Sequence, residues 1–462
     1  MLHGLANAGL GYLPDDFLAN TVDPFPLFSY LVEVTVTYFN EYFLYFHQIV
    51  LLSIFVYSTI GVICIVFNIK KFSTTYYFLF LLLTITFSDI SSEYISYTLF
   101  VFAREGVAKQ YLLGNMFQPS VFGVLLILSV YQFLNNRILT ATILVPITTY
   151  FHSSYLLSAG LIIAAYIIYF LTEKQVKKSI ILGLMALLLV IPTLTYILLS
   201  FSPTSPDLTK YAQEILVDIR IPHHTKIKEW FSYLVVLKIV LISIALLIVR
   251  QHKRLFIIMS MLFFTSMVLS SIQYLTQSNF GALLFPWRVS VLLVPLSSAI
   301  ILGKVVTTIR LTLPVNPLFY STIKKLSIAS LITFSIASLY LFTQRYIERQ
   351  VNVEMYSFVK EHSKKGDLYL VPIAYEDFRI KTLTPIFSDF KSHPYKDSEV
   401  IEWYNRIEII KKIYNKGFEC DSLRYLCQKY GVTHLLSDKS ISTCGFMNLI
   451  YKDSQFSIYQ IK

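Results

Sequence analysis

From Phe43 onward the chain alternates long apolar blocks with short polar breaks. Ten apolar segments can be marked, at 43–67, 74–88, 118–134, 138–151, 155–171, 179–200, 232–249, 255–273, 287–308 and 326–343. Runs of this length and composition predict an α-helical polytopic membrane protein with about ten transmembrane helices. Residues 1–42 form an acidic segment ahead of the bundle, expected on its outer side. Residues 344–462 have soluble composition and predict a C-terminal α/β domain: a helix near 350–363, a strand at DLYLVP, an extended DFRIKTLTPIFSDF, helices from Asp397 to Asn415 and over 421–430, and short strands at VTHLLS, MNLIYKD and FSIYQI. Asp397 is the expected N-cap, and Gly417 and Gly431 are the expected helix stops.

Composition sharpens this reading. At 55% hydrophobic and 15% charged over 462 residues, the chain is too apolar for a soluble protein of its size. Its net charge of +11 comes largely from basic residues in the breaks, so it reads as membrane orientation and implies no nucleic-acid partner. The alternate breaks 68–75, 135–137, 172–179, 249–254 and 303–325 hold thirteen Lys and Arg against one acid, Glu173. That side is expected to be cytoplasmic, which places residues 1–42, the other loops and the C-terminal domain outside. The N-terminus has neither the basic start nor the short apolar core of a signal peptide, so no cleavage is expected. Segment 138–151 reaches only ~21 Å of a ~30 Å hydrocarbon core, so FHSSY, around His152, is expected to turn in a recess below the outer surface.

The expected outer loops carry the candidate chemistry. Asp15, Asp16 and Asp23 precede the first long segment, where residues 1–42 contain no Lys or Arg. Asp89 and Glu93 follow the second segment one helical turn apart, before an amphipathic stretch ending near Arg104 and Lys109. Arg220, His223, His224, Lys226 and Lys228 cluster before the 232–249 segment. Adjacent histidines on an extended strand point to opposite faces, which disfavours a shared metal. Trp287 and Arg288 mark a membrane boundary and read as an interfacial anchor or a ligand clamp. His152 is a functional candidate because ionisable groups inside membranes are costly. Lys391 and His393, in FKSHPYKDSEVIEWYNR, read as part of a lid or as a solvated loop. Cys420 and Cys427 sit ~10 Å apart on one helix and cannot bridge, so any outer disulfide must use Cys444.

No nucleotide-binding loop, nucleophile elbow or zinc-protease motif is present. The stretches GYLPDDFLANTVDPFP, FQPSVFGV, HSSYLLSAG, RIPHHTKIKEWF, PWRVS and DFRIKTLTPIFSDFKSHPYKDSEVIEW resemble a bacterial family of polytopic membrane proteins of unknown function. More loosely, the layout resembles the type C (GT-C) glycosyltransferase superfamily. That resemblance implies transfer of a sugar from a polyprenyl-phosphate-linked donor to an acceptor on the outer leaflet of the bacterial plasma membrane. It implies a catalytic acid at Asp15 or Asp16, a second at Asp89 or Glu93, and a helix ahead of the first outer loop. Arg220, His223, His224, Arg288, His152, Lys391 and His393 are then substrate-binding candidates. No metal-ligand set is assigned; a divalent ion at the outer acids is the cofactor expectation. The competing expectation is a non-enzymatic transporter or assembly partner in envelope polysaccharide synthesis.

Overall fold

The computed structural model describes the chain except residues 88–96, 115–116, 313–315, 351–353, 417–418, 439–443 and 462. Asp89, Glu93 and Gly417 therefore lie outside the described residues. All ten apolar segments contain helices. Six helices are long and apolar enough to cross a membrane: Phe43–Val66, Ser153–Thr172, Val176–Ser200, Lys253–Thr276, Asn279–Ile309 and Pro317–Leu341. Four shorter apolar helices accompany them: Thr74–Phe87, Pro119–Leu134, Ile138–Phe151 and Tyr233–Val249. The described chain divides into two compact units. The first comprises Met1–Leu44, Tyr196–Arg220 and Arg345–Lys462; the second comprises Tyr45–Thr195 and Ile221–Gln344.

The second unit is the helical bundle. Asn136 adopts a left-handed conformation, φ 63°, which reverses the chain between the Pro119–Leu134 and Ile138–Phe151 helices. Across their interface Ser129 donates to the Ala141 carbonyl at 2.7 Å, and Phe133 stacks at 3.9 Å on Tyr166 of the Ser153–Thr172 helix. The helix expected to stop at Phe151 does stop there, because His152 takes an extended conformation and its Nδ1 accepts from the Ser154 backbone N–H. Tyr155 pins the turn by donating to the Ser120 carbonyl at 2.6 Å. Gly123 makes that approach possible, since a Cβ there would stand 2.3 Å from the Tyr155 hydroxyl oxygen. Arg254 lies over Tyr169 at 4.9 Å and donates to the Phe133 carbonyl, while Lys253 pairs with Glu173 at 2.6 Å.

The first unit is α/β. Its sheet runs β1 (Tyr369–Leu370), β2 (His434–Ser437), β4 (Ser457–Ile461), β3 (Met447–Lys452), with β1 parallel to β2 and the other pairs antiparallel. Helices Glu354–His362, Asp397–Lys416 and Cys420–Tyr430 complete it. Its core includes Met355, Val359, Tyr369, Phe378, Leu436 and Ile458. Gly431 closes the last of these helices at φ +71°, the left-handed conformation expected there. Two features differ from the sequence pattern. Phe378–Thr382 is a short helix rather than extended chain, and Leu383 leaves it at φ 57°. The last long helix, Pro317–Gln350, runs on past position 343, where composition alone marks the end of the bundle.

Met1–Leu44 also belongs to this unit. Tyr12 donates its N–H to the Leu383 carbonyl at 2.9 Å, and Val22 donates to the Glu399 carboxylate at 3.0 Å. Gly11, at φ +54°, is required at the first contact, because a Cβ would stand 2.5 Å from the Leu383 oxygen.

Cys420 and Cys444 form a disulfide across a sequence separation of 24, leaving Cys64 and Cys427 free. Closing a loop of that size stabilises by about 3 kcal/mol through the unfolded chain. Cys444→Ser is therefore expected to lower the stability of the first unit by about that amount, read as a melting shift that added reductant reproduces in the unsubstituted protein. A second expectation concerns acid. Burial by itself raises the Asp397 carboxyl, but hydrogen bonds from the Thr204 hydroxyl and N–H, the Thr209 hydroxyl and the Ser398 N–H outweigh it and pull it down to about 2. A depressed carboxyl contributes stability that is complete above its ordinary value near 4 and is lost as pH falls toward 2. Asp397→Asn should remove this part of the slope in melting curves recorded across that window.

Candidate functional site

Within the first unit the structure gathers Arg220, Lys391 and His393. A short helix, Pro206–Glu214, capped by Ser205, widens into a π-helical turn over Ile215–Arg220 and delivers Arg220 at its end. Arg220 donates to the Lys391 carbonyl and lies 5.3 Å from the Phe390 ring. Its Nε is buried without a hydrogen-bond partner. Burial of the guanidinium lowers its pKa. His393 packs against Tyr395 and Trp403, at 4.8 and 6.0 Å between ring centres. Burial, followed by the neighbouring Arg220 charge, pushes the imidazole down to about 3. His393 is thus neutral at physiological pH, with a buried and unpartnered Nε2. The Lys391 ammonium pairs with Glu376 at 3.4 Å.

Asp15 and Asp16 belong to this unit and have opposite surroundings. Asp15 is exposed. Asp16 is wholly buried: one oxygen accepts from Leu18 N–H at 2.9 Å and the other from Ile386 N–H at 3.1 Å. That second oxygen also faces Arg379 Nε at 3.4 Å, and Arg379 reaches Asp389 at 3.0 Å. All three side chains are at most 2% exposed. One guanidinium therefore serves two buried carboxylates. Burial raises the Asp16 pKa, and the Arg379 charge opposes that rise. The Asp16 oxygens are thus directed to Leu18, Ile386 and Arg379, inside the fold of the first unit. Arg379 and Asp389 carry no local signal in the sequence; both fall in a stretch that reads as extended loop.

In the second unit His152 and Arg288 meet around Tyr155. Arg288 lies 4.8 Å over the Tyr155 ring and donates to its hydroxyl at 3.4 Å. The His152 ring contacts the same tyrosine at 5.5 Å, and its Nδ1 meets the Ser154 hydroxyl at 2.8 Å. Arg288 Nε and Ser120 Oγ are buried without hydrogen-bond partners, and among the described residues Arg288 bonds the Tyr155 hydroxyl and no carboxylate. His223 and His224 are not on an extended strand; the one-turn helix Pro222–Thr225 brings their rings to 4.1 Å. His224 Nδ1 bonds the Ala108 carbonyl at 2.7 Å. Among the described residues no group of three or more His, Cys, Asp or Glu is arranged to hold a metal.

Sequence reading passed over Lys238. It lies in the apolar Tyr233–Val249 helix, is 3% exposed, and donates to the Gly106 carbonyl at 3.0 Å and to Glu105 at 3.3 Å. A lone cation inside an apolar run is the signal that marks it.

The triad yields a stability test. Arg379→Ala leaves two buried carboxylates without their cation and is expected to cost about 3–5 kcal/mol, measured as loss of the folded first unit in detergent. Asp16→Asn keeps an acceptor but turns an amide N–H₂ toward other donors, so it too should act through folded yield.

Residues 352–410 match the model of a domain of unknown function, DUF6798. No curated protein matches the chain.

Proposed function

We propose that this membrane protein is a glycosyltransferase that moves a sugar from a polyprenyl-phosphate-linked donor to an acceptor at the outer leaflet. The observation that carries the reading is Arg288: a guanidinium held on Tyr155 beside His152, at a break between helices, with no carboxylate to neutralise it among the described residues. A fixed cation of this kind suits a phosphate-bearing lipid in charge and geometry. In the transfer, the acceptor hydroxyl gives its proton to a carboxylate, its oxygen forms the bond to the anomeric carbon, and the bond from that carbon to the phosphate oxygen breaks, releasing polyprenyl phosphate. The resemblance assigns this role to Asp15 or Asp16 and to Asp89 or Glu93, and the exposure of Asp15 favours it over the buried Asp16. The Cys420–Cys444 disulfide supports an oxidising, extracytoplasmic location for its domain, and the thirteen basic residues on the alternate breaks support ten spans with those breaks facing the cytoplasm. The bacterial plasma membrane is the setting this implies.

A second reading is favoured by one observation. Asp16 is committed to Arg379 and two backbone N–H groups, as expected if the acidic N-terminal segment serves structure in a non-enzymatic transporter or assembly partner of envelope polysaccharide synthesis.

The two readings separate in a deletion strain complemented with single variants and scored by its envelope glycans. Arg288→Ala is expected to lower transfer about 10- to 100-fold at unchanged membrane abundance, the loss of a charge-assisted contact. Asp15→Asn, combined with Asp89→Asn and Glu93→Gln, should abolish transfer. Full restoration of the glycan by that triple variant would favour the second reading.

A further inference from the structure

The helix Val176–Ser200, which belongs to the second unit as far as Thr195, has two unlike faces. Its inward face is mostly small or polar, with Ser179, Leu182, Ala186 and Thr193 buried. Ser179 donates to the Ile167 carbonyl at 3.2 Å, the Thr193 and Thr149 hydroxyls meet at 3.1 Å, and a Cβ on Gly183 would stand 3.3 Å from Ile167. On the outward side, Ile181, Leu184, Leu188 and Ile191 are between 45 and 68% exposed and, at spacings of three and four, form one stripe. Close packing of a second membrane helix favours small residues, and here those are turned toward the bundle. The stripe of large residues is left to acyl chains, and only 17% of the apolar stretch of this helix is buried.

Cations head the same stripe. Lys177 stands one turn before Ile181, Lys174 and Lys178 lie on either side of it in sequence, and all three are exposed. A helical side chain leans toward the helix N-terminus, so the lysine stems carry their ammonium groups past the helix end, to the depth of lipid phosphates. The acid of this break is already engaged: Glu173 pairs with Lys253 at 2.6 Å, and among the described residues no carboxylate pairs with the three lysines. The turn that presents them is tied down, since Lys174 takes a left-handed conformation at φ 59° and donates its N–H to the Leu171 carbonyl at 2.9 Å. Three uncompensated positive charges therefore sit at the head of an apolar track about 15 Å long.

We infer that this face is a site for one anionic phospholipid, its phosphate among Lys174, Lys177 and Lys178 and an acyl chain along the stripe. The stripe alone would accept any lipid of the bilayer; three cations without a counter-charge select a negative headgroup. The site rests on neither reading of the protein's function.

The test uses the full chain in nanodiscs of phosphatidylcholine doped with phosphatidylglycerol that carries a photoreactive diazirine in its acyl chain, with cross-linked peptides identified by mass spectrometry. Labelling of residues 181–191 should saturate, at about 10-fold less lipid than the same probe built on phosphatidylcholine requires. Unlabelled phosphatidylglycerol should displace the probe, whereas soluble glycerol phosphate, which has no acyl chain, should not. Lys174→Gln, Lys177→Gln and Lys178→Gln together should bring the two probes to within about 2-fold of each other. Equal labelling by the two probes in the unsubstituted protein would overturn the inference, and that comparison needs no variant to fold. So would a preference that survives the triple substitution, or displacement by glycerol phosphate. A stripe labelled by neither probe would also overturn it, assigning this face to a second copy of the chain.

Discussion

Arg379, set between Asp16 and Asp389, is the contact on which the first unit depends. A guanidinium buried to 2% exposure is tolerable only with anions in reach, and two carboxylates beside one cation leave an excess of negative charge that backbone N–H groups must share. Asp16 meets that need with Leu18 and Ile386, and so the acidic N-terminal stretch is drawn into the α/β fold. The contacts nearby follow from that placement: Gly11 against Leu383, Val22 on Glu399, and Phe17 3.9 Å from the Arg406 guanidinium. Breaking a pair of this kind exposes the cost of the remaining charges, whereas the intact triad is close to neutral in net effect. Its contribution is therefore specificity of attachment more than gross stability.

The same physics separates structural charge from chemical charge elsewhere. Asp397 is surrounded by four donors and is held strongly acidic, which suits a strut between the Pro206–Glu214 and Asp397–Lys416 helices. Lys238 is matched by Glu105 and a carbonyl inside the bundle. Arg288 and His393 are packed against aromatic rings with no carboxylate beside them among the described residues, and each keeps a buried nitrogen without a hydrogen-bond partner; the Arg379 nitrogens also lack hydrogen-bond partners but face two carboxylates. A polar group left unsatisfied in that way is costly, and natural proteins retain such groups where a ligand or water completes them. Asp16 is diverted to structure, and Asp89 and Glu93 lie outside the described residues.

Length, composition and local propensity determined a good deal unaided. The ten helical segments follow from uninterrupted apolar runs, the stop at His152 from a segment too short to span, and the use of Cys444 from the fixed rise of a helix, which keeps Cys420 and Cys427 apart. Each is a property of neighbouring residues. The gathering of Arg220, Lys391 and His393 was only foreshadowed, because residue type marks a candidate but not its partner. What tertiary structure alone decided is which of two adjacent aspartates turns inward. Asp15 and Asp16 are alike in local pattern, and the choice is made by partners such as Ile386, 370 positions away. An ion pair acts through space, at a strength set by burial, and neither the distance nor the burial is written in the order of residues.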